Sequence, residues 1–215
     1  MITQNLKAVK AELGTAKLVA VTKNKSIDEV KEIYDAGQLD LGENRVQELL
    51  AKQSALPQDI RWHLIGHLQS NKVKYIAPFI TMIQSVDSVK LAKEINKQAL
   101  KLDRKIDILL QIHIAEEESK FGFDKNEIVG LIKDQAFDSF ENLRICGLMG
   151  MATNSPDQEK VEAEFLELKG LLESVQNLKP EWTFFTELSM GMSQDCHIAV
   201  SCGSTMVRIG SKLFL

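Results

Sequence analysis

The stretch LVAVTKNKS, residues 18–26, ends an apolar run in two lysines, Lys23 and Lys25. One reading is that a strand has ended and its side chains have reached water. The other is covalent chemistry. An amine that is desolvated, or that stands beside a second cation, loses its proton more easily and can form a Schiff base with a carbonyl compound. Two later stretches, SMGMS (189–193) and RIGS (208–211), point instead to anion binding. Glycine lets a backbone approach a ligand closely, and a serine at a helix start sets a hydroxyl beside free N–H groups. Ser193, Gly210 and Ser211 are therefore candidate anion ligands, although Ser193 also reads as a plain N-cap and Gly210-Ser211 as a plain turn. Arg208, just before the second stretch, is a permanently charged donor with no acceptor atom.

These residues need a scaffold that brings them together. The runs KLVAVT (17–22), LDLG (39–42), RWHLIG (61–66), ITMIQSV (80–86), KIDILLQIHI (105–114), LRICGLMG (143–150), FTELSM (185–190) and TMVRIG (205–210) are short and β-rich. Between them lie helical patterns, from IDEVKEIYDAG, with Gly37 at its expected C-terminal stop, to a long amphipathic segment carrying Val161, Phe165, Leu168 and Leu172. Alternating βα units imply a parallel sheet. Eight units, the last without its helix, predict a closed (β/α)8 TIM barrel in one domain over residues 1–215. An open doubly wound sheet is the alternative, but no G-x-G-x-x-G follows the first strand. In a barrel the C-terminal strand ends carry the chemistry. Lys23, the Glu43-Asn44 pair, Ser193 and Arg208 to Ser211 all fall at that rim.

Bulk properties restrict the function classes. The 215 residues are 44% apolar and 26% charged, with a net charge of −4. This balance gives no general electrostatic reason to bind nucleic acid or an anionic membrane. No segment approaches the roughly 18 apolar residues of a membrane span, and the N-terminal MITQNLKAVKAEL reads as a short amphipathic helix rather than a signal peptide. Cys146, Cys196 and Cys202 form no CxxC pair and read as small apolar residues in a reducing cytoplasm. His63 and His67 have i, i+4 spacing, but they straddle a strand end with Gly66 between them, which argues against a metal pair.

By strand parity Lys23 shares a face with Val19 and Val21, which would place its amine inside the barrel mouth, with Lys25 as a possible neighbouring charge. A phosphate site opposite a lysine suits pyridoxal 5′-phosphate, which has an aldehyde at one position and a phosphate at another. Arg208 would then reach the pyridine nitrogen. It would donate to that nitrogen and keep it unprotonated, where an aspartate would make the ring a strong electron sink.

The stretches VAVTKNKS, LGENRVQEL, WHLIGHLQSNK, IQSVDS, SKFGF, GLMGMAT, LSMGMSQD and GSTMVRIGS resemble the pyridoxal phosphate homeostasis protein family, in order from residue 19 to residue 211. The resemblance implies a barrel like the N-terminal domain of alanine racemase. It implies a Schiff base at Lys23 with Lys25 the second lysine of the motif, phosphate contacts from Ser193, Gly210 and Ser211, a pyridine contact from Arg208, and Asn44 near the ring. It implies a cytoplasmic carrier or buffer of the cofactor without established turnover, with transient contact to apo-enzymes. Two departures are visible. Ser211 stands where threonine is common, which keeps the hydroxyl, and Ser26 stands where many members have proline. The chain runs only five residues past Gly210, which leaves out the β-rich second domain of the racemases and favours a monomer. Its two tyrosines, Tyr34 and Tyr75, lie at no expected strand end, so no racemase-type acid/base is evident.

Two other readings remain open at this point: a weakly active fold-type III enzyme such as an amino-acid racemase, and a barrel that binds another phosphate ligand noncovalently. His67 and the Ser119-Lys120-Phe121-Gly122 stretch are expected at the rim, and AEEESK (115–120) as a solvated loop. His113, His197, Trp62 and Trp182 are expected in structural or surface roles. The methionines at 149, 151, 190 and 192 read equally as core packing or as a soft wall beside a ring.

Overall fold

The computed structural model describes residues 1–116 and 121–214. Its strands are β1 (Lys17–Val21), β2 (Asp40–Glu43), β3 (Arg61–Leu64), β4 (Met82–Val86), β5 (Ile106–Ile112), β6 (Leu143–Gly150), β7 (Glu187–Ser189) and β8 (Met206–Ile209). All pair in parallel and in chain order, and β8 returns to β1 to close the barrel. The expected (β/α)8 architecture is the one observed. Closure excludes the open doubly wound sheet.

Helices α1 (Ile2–Glu12), α2 (Ile27–Asp35), α3 (Val46–Ala55), α4 (Val73–Ile76), α5 (Val89–Lys101), α6 (Lys125–Lys133), α7 (Gln158–Leu178) and α8 (Cys196–Ser201) cover the outside. Their starts are locally encoded. Ser26 and Glu29 form a reciprocal capping box at α2, as Asp124 and Glu127 do at α6, and Ser88 caps α5. Among the described residues, β8 is followed by a 3-10 turn, Ser211–Leu213. α1 lies against that turn: Asn5 donates to the Leu213 carbonyl at 3.3 Å, and Lys212 pairs with Glu12 at 3.4 Å. Among the described residues no helix is long and apolar enough to cross a membrane.

Two apolar cores result from the alternation of side chains along each strand. The larger lies between sheet and helices and takes in Val161, Phe165, Leu168 and Leu172 of α7, as their spacing predicts. The smaller fills the lumen with Val19, Met82, Leu109, Cys146, Met149 and Met206. Simple parity would place Leu148 beside Cys146 in the lumen. Instead Met149 is there and Leu148 faces the helices, because the β5–β6 register slips between Ile108↔Ile145 and Leu109↔Gly147. This is a β-bulge at Cys146-Gly147. The N-terminal end of the barrel is closed by charge: Arg61 pairs with Asp40 at 2.5 Å, Arg144 with Asp107 at 2.6 Å and Lys17 with Glu187 at 3.7 Å.

The bulge depends on Gly147. Its φ is +152°, and a Cβ there would lie 1.8 Å from the Glu187 carbonyl oxygen of the neighbouring strand. Backbone cannot swing aside as a side-chain tip can. Gly147→Ala is therefore expected to cost about 3 kcal/mol, or roughly 6–12 °C in Tm for a chain of this size. A thermal melt that moves by less than about 2 °C would show that the bulge relaxes freely.

Candidate functional site

Strand β1 ends at Val21, so strand parity does not extend to Lys23. Thr22 to Lys25 form a turn, closed by the Lys25 N–H on the Thr22 carbonyl at 3.1 Å, with Asn24 at φ 60°. Lys23 projects from this turn as an exposed side chain. Lys23 is therefore a solvent-exposed residue of the loop that follows β1, at the C-terminal end of the barrel. Lys25 pairs with Glu29 at 3.0 Å and lies over the Phe214 ring at 4.8 Å.

The turn is anchored from below by a buried cluster that the sequence reading missed. Glu43 at the end of β2 is fully buried. Its Oε1 accepts from the Thr22 hydroxyl at 2.5 Å and from Lys52 of α3 at 2.6 Å. Lys52 Nζ also donates to the Thr22 carbonyl at 2.6 Å. Glu48 takes the Asn24 N–H at 3.0 Å. Burial raises the Glu43 carboxyl above its ordinary range, against the lowering pull of Lys52 and Thr22. The signal in the sequence was the acid next to Asn44 with a lysine one α3 face away, an arrangement that ordinary surface helices share.

Asn44, directly after Glu43, is half-buried, and its Oδ1 is buried without a hydrogen-bond partner among the described residues. A buried acceptor left open in this way is an invitation to a donor from a ligand or water. On the other side of the mouth Arg208 is 4% exposed. Its Nη1 donates to Ser189 Oγ at 2.6 Å and its Nη2 to the Gly150 carbonyl at 2.9 Å. Both partners are neutral. Burial pulls the guanidinium down to about 10, with Asp195 acting against that, so it stays charged at neutral pH.

The two proposed anion loops sit at the same rim. Gly210 precedes the Ser211–Leu213 turn and Ser211 is exposed at its start. Ser193 is half-buried but does not begin a helix. α8 starts at Cys196 with Asp195 at its N-cap position, so the N-cap reading of Ser193 is corrected. The Asp195 carboxylate accepts the Met192 N–H at 2.5 Å and shapes the loop that presents Ser193.

The histidines separate. His63 is buried in the lumen between Asp40 and Gln84, each at 3.1 Å, whereas His67 stands at the mouth, bonded to Asp87 at 2.9 Å and stacked on Phe121 at 3.9 Å. His67 and Phe121 are thus rim residues, as expected. Ser119 and Lys120 lie outside the described residues, as does most of the carboxylate run. Met149 and Met190 are buried core residues, while Met151 and Met192 are exposed. The three cysteines are buried and free, and burial pushes the Cys146 thiol up to about 12.

The sequence matches the family "Alanine racemase, N-terminal domain" over residues 1–215. A pyridoxal phosphate homeostasis protein of Pasteurella multocida is 37% identical over 204 residues, covering 94% of this chain and 86% of that one. One from Synechocystis is 38% identical over 202 residues, covering 93% and 91%. The chain belongs to the pyridoxal phosphate homeostasis protein family. Among solved structures, PipY of Synechococcus elongatus superposes with a TM-score of 0.94 without PLP and 0.91 with PLP bound, at 35% and 34% identity, over the full length of both chains. Alanine racemase of Bartonella henselae shares the fold at TM-score 0.71 and 17% identity, and this chain covers 57% of it. Within the homeostasis protein fold described above, Lys23, Asn44, Ser193, Arg208, Gly210 and Ser211 all lie at one end of the barrel, on four different strand-to-helix loops or strand ends.

Lys52 is the residue whose loss would be felt most directly beneath the Lys23 turn. Lys52→Met leaves Glu43 buried with only the Thr22 hydroxyl, and an uncompensated buried charge costs about 3–5 kcal/mol. The pH dependence has a definite sign. A carboxyl whose folded pKa is raised binds protons more tightly in the folded state, so its contribution to stability falls as pH rises above the ordinary value of 4.5. Urea unfolding should therefore show a larger deficit for Lys52→Met at pH 8 than at pH 5. Equal deficits would mean that Lys52 does not compensate the charge of Glu43.

Proposed function

We propose that this chain binds pyridoxal 5′-phosphate at the C-terminal mouth, with the aldehyde held as a Schiff base on Lys23, and serves as a cytoplasmic carrier or buffer of the cofactor without catalytic turnover. The observation that carries the reading is Arg208: a buried permanent cation at the mouth whose partners are both neutral. Such a group is stable only if its donors are used, and it favours a ligand that brings an acceptor or negative charge. Pyridoxal phosphate supplies both, together with a carbonyl carbon that a primary amine attacks with loss of water.

The chain's own residues divide the work. Lys23 is the exposed amine at the rim. Asn44 Oδ1, at the end of the neighbouring strand β2, is an open buried acceptor among the described residues. Ser193, Gly210 and Ser211 offer hydroxyls and unhindered backbone on the opposite loops. A Cβ on Gly210 would lie 3.1 Å from the Val21 carbonyl, so that position is closely packed against β1 as well. Arg208 supplies a donor that does not protonate its partner, which leaves the ring a poor electron sink.

Support for a carrier rather than a catalyst comes from the tyrosines. Tyr34 gives its hydroxyl to Asp59, in the segment leading into β3 at the far end of the barrel, and Tyr75 is exposed on α4. Neither stands at the mouth to exchange a proton with a substrate. Transient delivery to apo-enzymes and a monomeric state belong to the same proposal.

Loading the protein with pyridoxal phosphate, reducing it with borohydride and mapping the modified peptide is the test. A pyridoxyl adduct on Lys23, absent in Lys23→Ala, is the expected result. An adduct confined to Lys25, or none, would remove the anchor assigned here. Incubation with single-enantiomer amino acids in D2O is expected to give no α-proton exchange above the rate of free cofactor. Exchange well above that rate would make the protein an enzyme.

A further inference from the structure

Arg208 does not end a local contact. It begins a chain of hydrogen bonds that crosses the barrel. Its Nη1 donates to Ser189 Oγ at 2.6 Å. Ser189 Oγ stands 2.7 Å from Gln84 Oε1. Gln84 Nε2 stands 3.1 Å from His63 Nδ1, and His63 Nε2 3.1 Å from Asp40 Oδ1. Asp40 Oδ2 accepts from Arg61 at 2.5 Å. The residues come from β8, β7, β4, β3 and β2, and the step from Ser189 to Gln84 joins strands that are not neighbours, so it spans the lumen. Ser189 and Gln84 are fully buried, and His63, Arg208 and Asp40 are at most 6% exposed.

The chain has one self-consistent direction. A guanidinium only donates, so the Ser189 oxygen must accept from Arg208. The Ser189 proton then goes to the Gln84 carbonyl oxygen. That fixes the Gln84 amide with its NH2 towards His63, whose Nδ1 must accept. The His63 proton is therefore on Nε2 and goes to Asp40. At that end His63 and Arg61 hold the Asp40 carboxyl below its ordinary range despite its burial. Reversing the Gln84 amide would aim two donors at the Ser189 oxygen and leave the serine proton without an acceptor.

We infer that Gln84 is a positioning residue for the ligand site: through Ser189 it holds the Arg208 guanidinium in place at the mouth, and the same chain sets the tautomer of His63. The inference rests on the pyridoxal phosphate reading for its ligand, but not for the chain itself. The arrangement has a physical rationale. A carboxylate next to Arg208 would fix it equally well and would neutralise it. A chain of neutral groups immobilises the cation before the ligand arrives, while Asp195, the acid that acts on it, is not among its hydrogen-bond partners, and the acid that ends the chain, Asp40, is already paired with Arg61. Preorganisation of this kind raises affinity without adding a ligand contact.

Two variants separate the possibilities. Gln84→Glu keeps an acceptor for Ser189 but presents a carboxylate oxygen to His63, so it should preserve the Arg208 arm and place a proton on His63 Nδ1. Gln84→Leu breaks both arms. Long-range 1H–15N spectra of the histidine-labelled protein without cofactor should show the Nε2–H tautomer of His63 in the wild type and a protonated Nδ1 in Gln84→Glu. Pyridoxal phosphate titrations should show affinity within about threefold of wild type for Gln84→Glu and about tenfold weaker for Gln84→Leu, the loss of roughly one buried hydrogen bond. The borohydride adduct should stay on Lys23 throughout. Should Gln84→Leu fail to fold, Ser189→Ala removes the same link with one fewer hydroxyl and carries the same expectation. A wild-type Nδ1–H tautomer, or unchanged affinity in the link-breaking variant, overturns the inference. Failure of every form to bind the cofactor overturns the ligand reading and the positioning role, while the tautomer result still decides the direction of the chain.

Discussion

A guanidinium inside a barrel lumen has to find acceptors within the protein, because a buried donor left unmade is more costly than any one hydrogen bond is favourable. Arg208 sets that requirement, and the polar part of the lumen is arranged around it. Ser189, Gln84, His63 and Asp40 are polar side chains at inward-facing positions of four strands, where a barrel of this size would otherwise be filled by branched apolar residues. The apolar lumen residues, among them Met82, Leu109 and Met206, pack around this polar line rather than displacing it. Met206 contributes to it directly, with its sulfur 3.1 Å from the Gln84 amide nitrogen.

The two ends of the barrel solve the same electrostatic problem differently. At the N-terminal end, inward charges alternate in sign around the rim and pair with one another. At the C-terminal end, Arg208 has neutral partners, Asn44 Oδ1 has none, and Lys23 projects into solvent. Ion pairs at the closed end leave nothing for a ligand to complete. The open end presents a cation, an acceptor and an amine that a ligand can complete, and the bulges help to place them. The Cys146-Gly147 bulge shifts the end of β6, whose last carbonyl, that of Gly150, accepts from Arg208. A second register shift in β4, between Ile83 and Val86, brackets Gln84 itself.

The architecture was legible in the sequence because each strand and helix announces itself locally. β-rich runs, caps such as Ser26 and Asp124, and the helical spacing of Val161 to Leu172 depend on neighbours within a few residues. The rim residues were legible for the same reason, since strand ends follow from strands. The lumen was less so. Parity failed for Leu148 and Met149, because a bulge is fixed by the facing strand, and it does not apply to Lys23, because the strand ends two residues before it. Gln84 and Ser189 were visible only as polar residues near strand ends. Their bond joins positions 105 residues apart, and nothing local records it. The Glu43–Lys52 pair was hidden because a glutamate and a helical lysine are ordinary surface types until burial makes them a pair.

The contrast between Lys23 and its surroundings bears on how such a site would work. The turn that carries it is held at four points: the Thr22 hydroxyl and carbonyl, the Asn24 N–H and the Lys25 N–H all have partners. The ammonium group itself remains in solvent at the end of a flexible side chain. A catalytic lysine is served by exclusion of water, which protects reactive intermediates and strengthens local electrostatics. A lysine that must both capture and release an aldehyde is served by the opposite, since formation of the linkage expels a water molecule and its hydrolysis consumes one. On the proposed reading, the rigid backbone places the amine, the open rim lets the linkage form and hydrolyse, and the buried chain from Arg208 to Asp40 fixes the far side of the ligand. Affinity and exchange are thereby assigned to different parts of the barrel, so that one can be altered at Gln84 without touching the amine, and the other at the rim without disturbing the core.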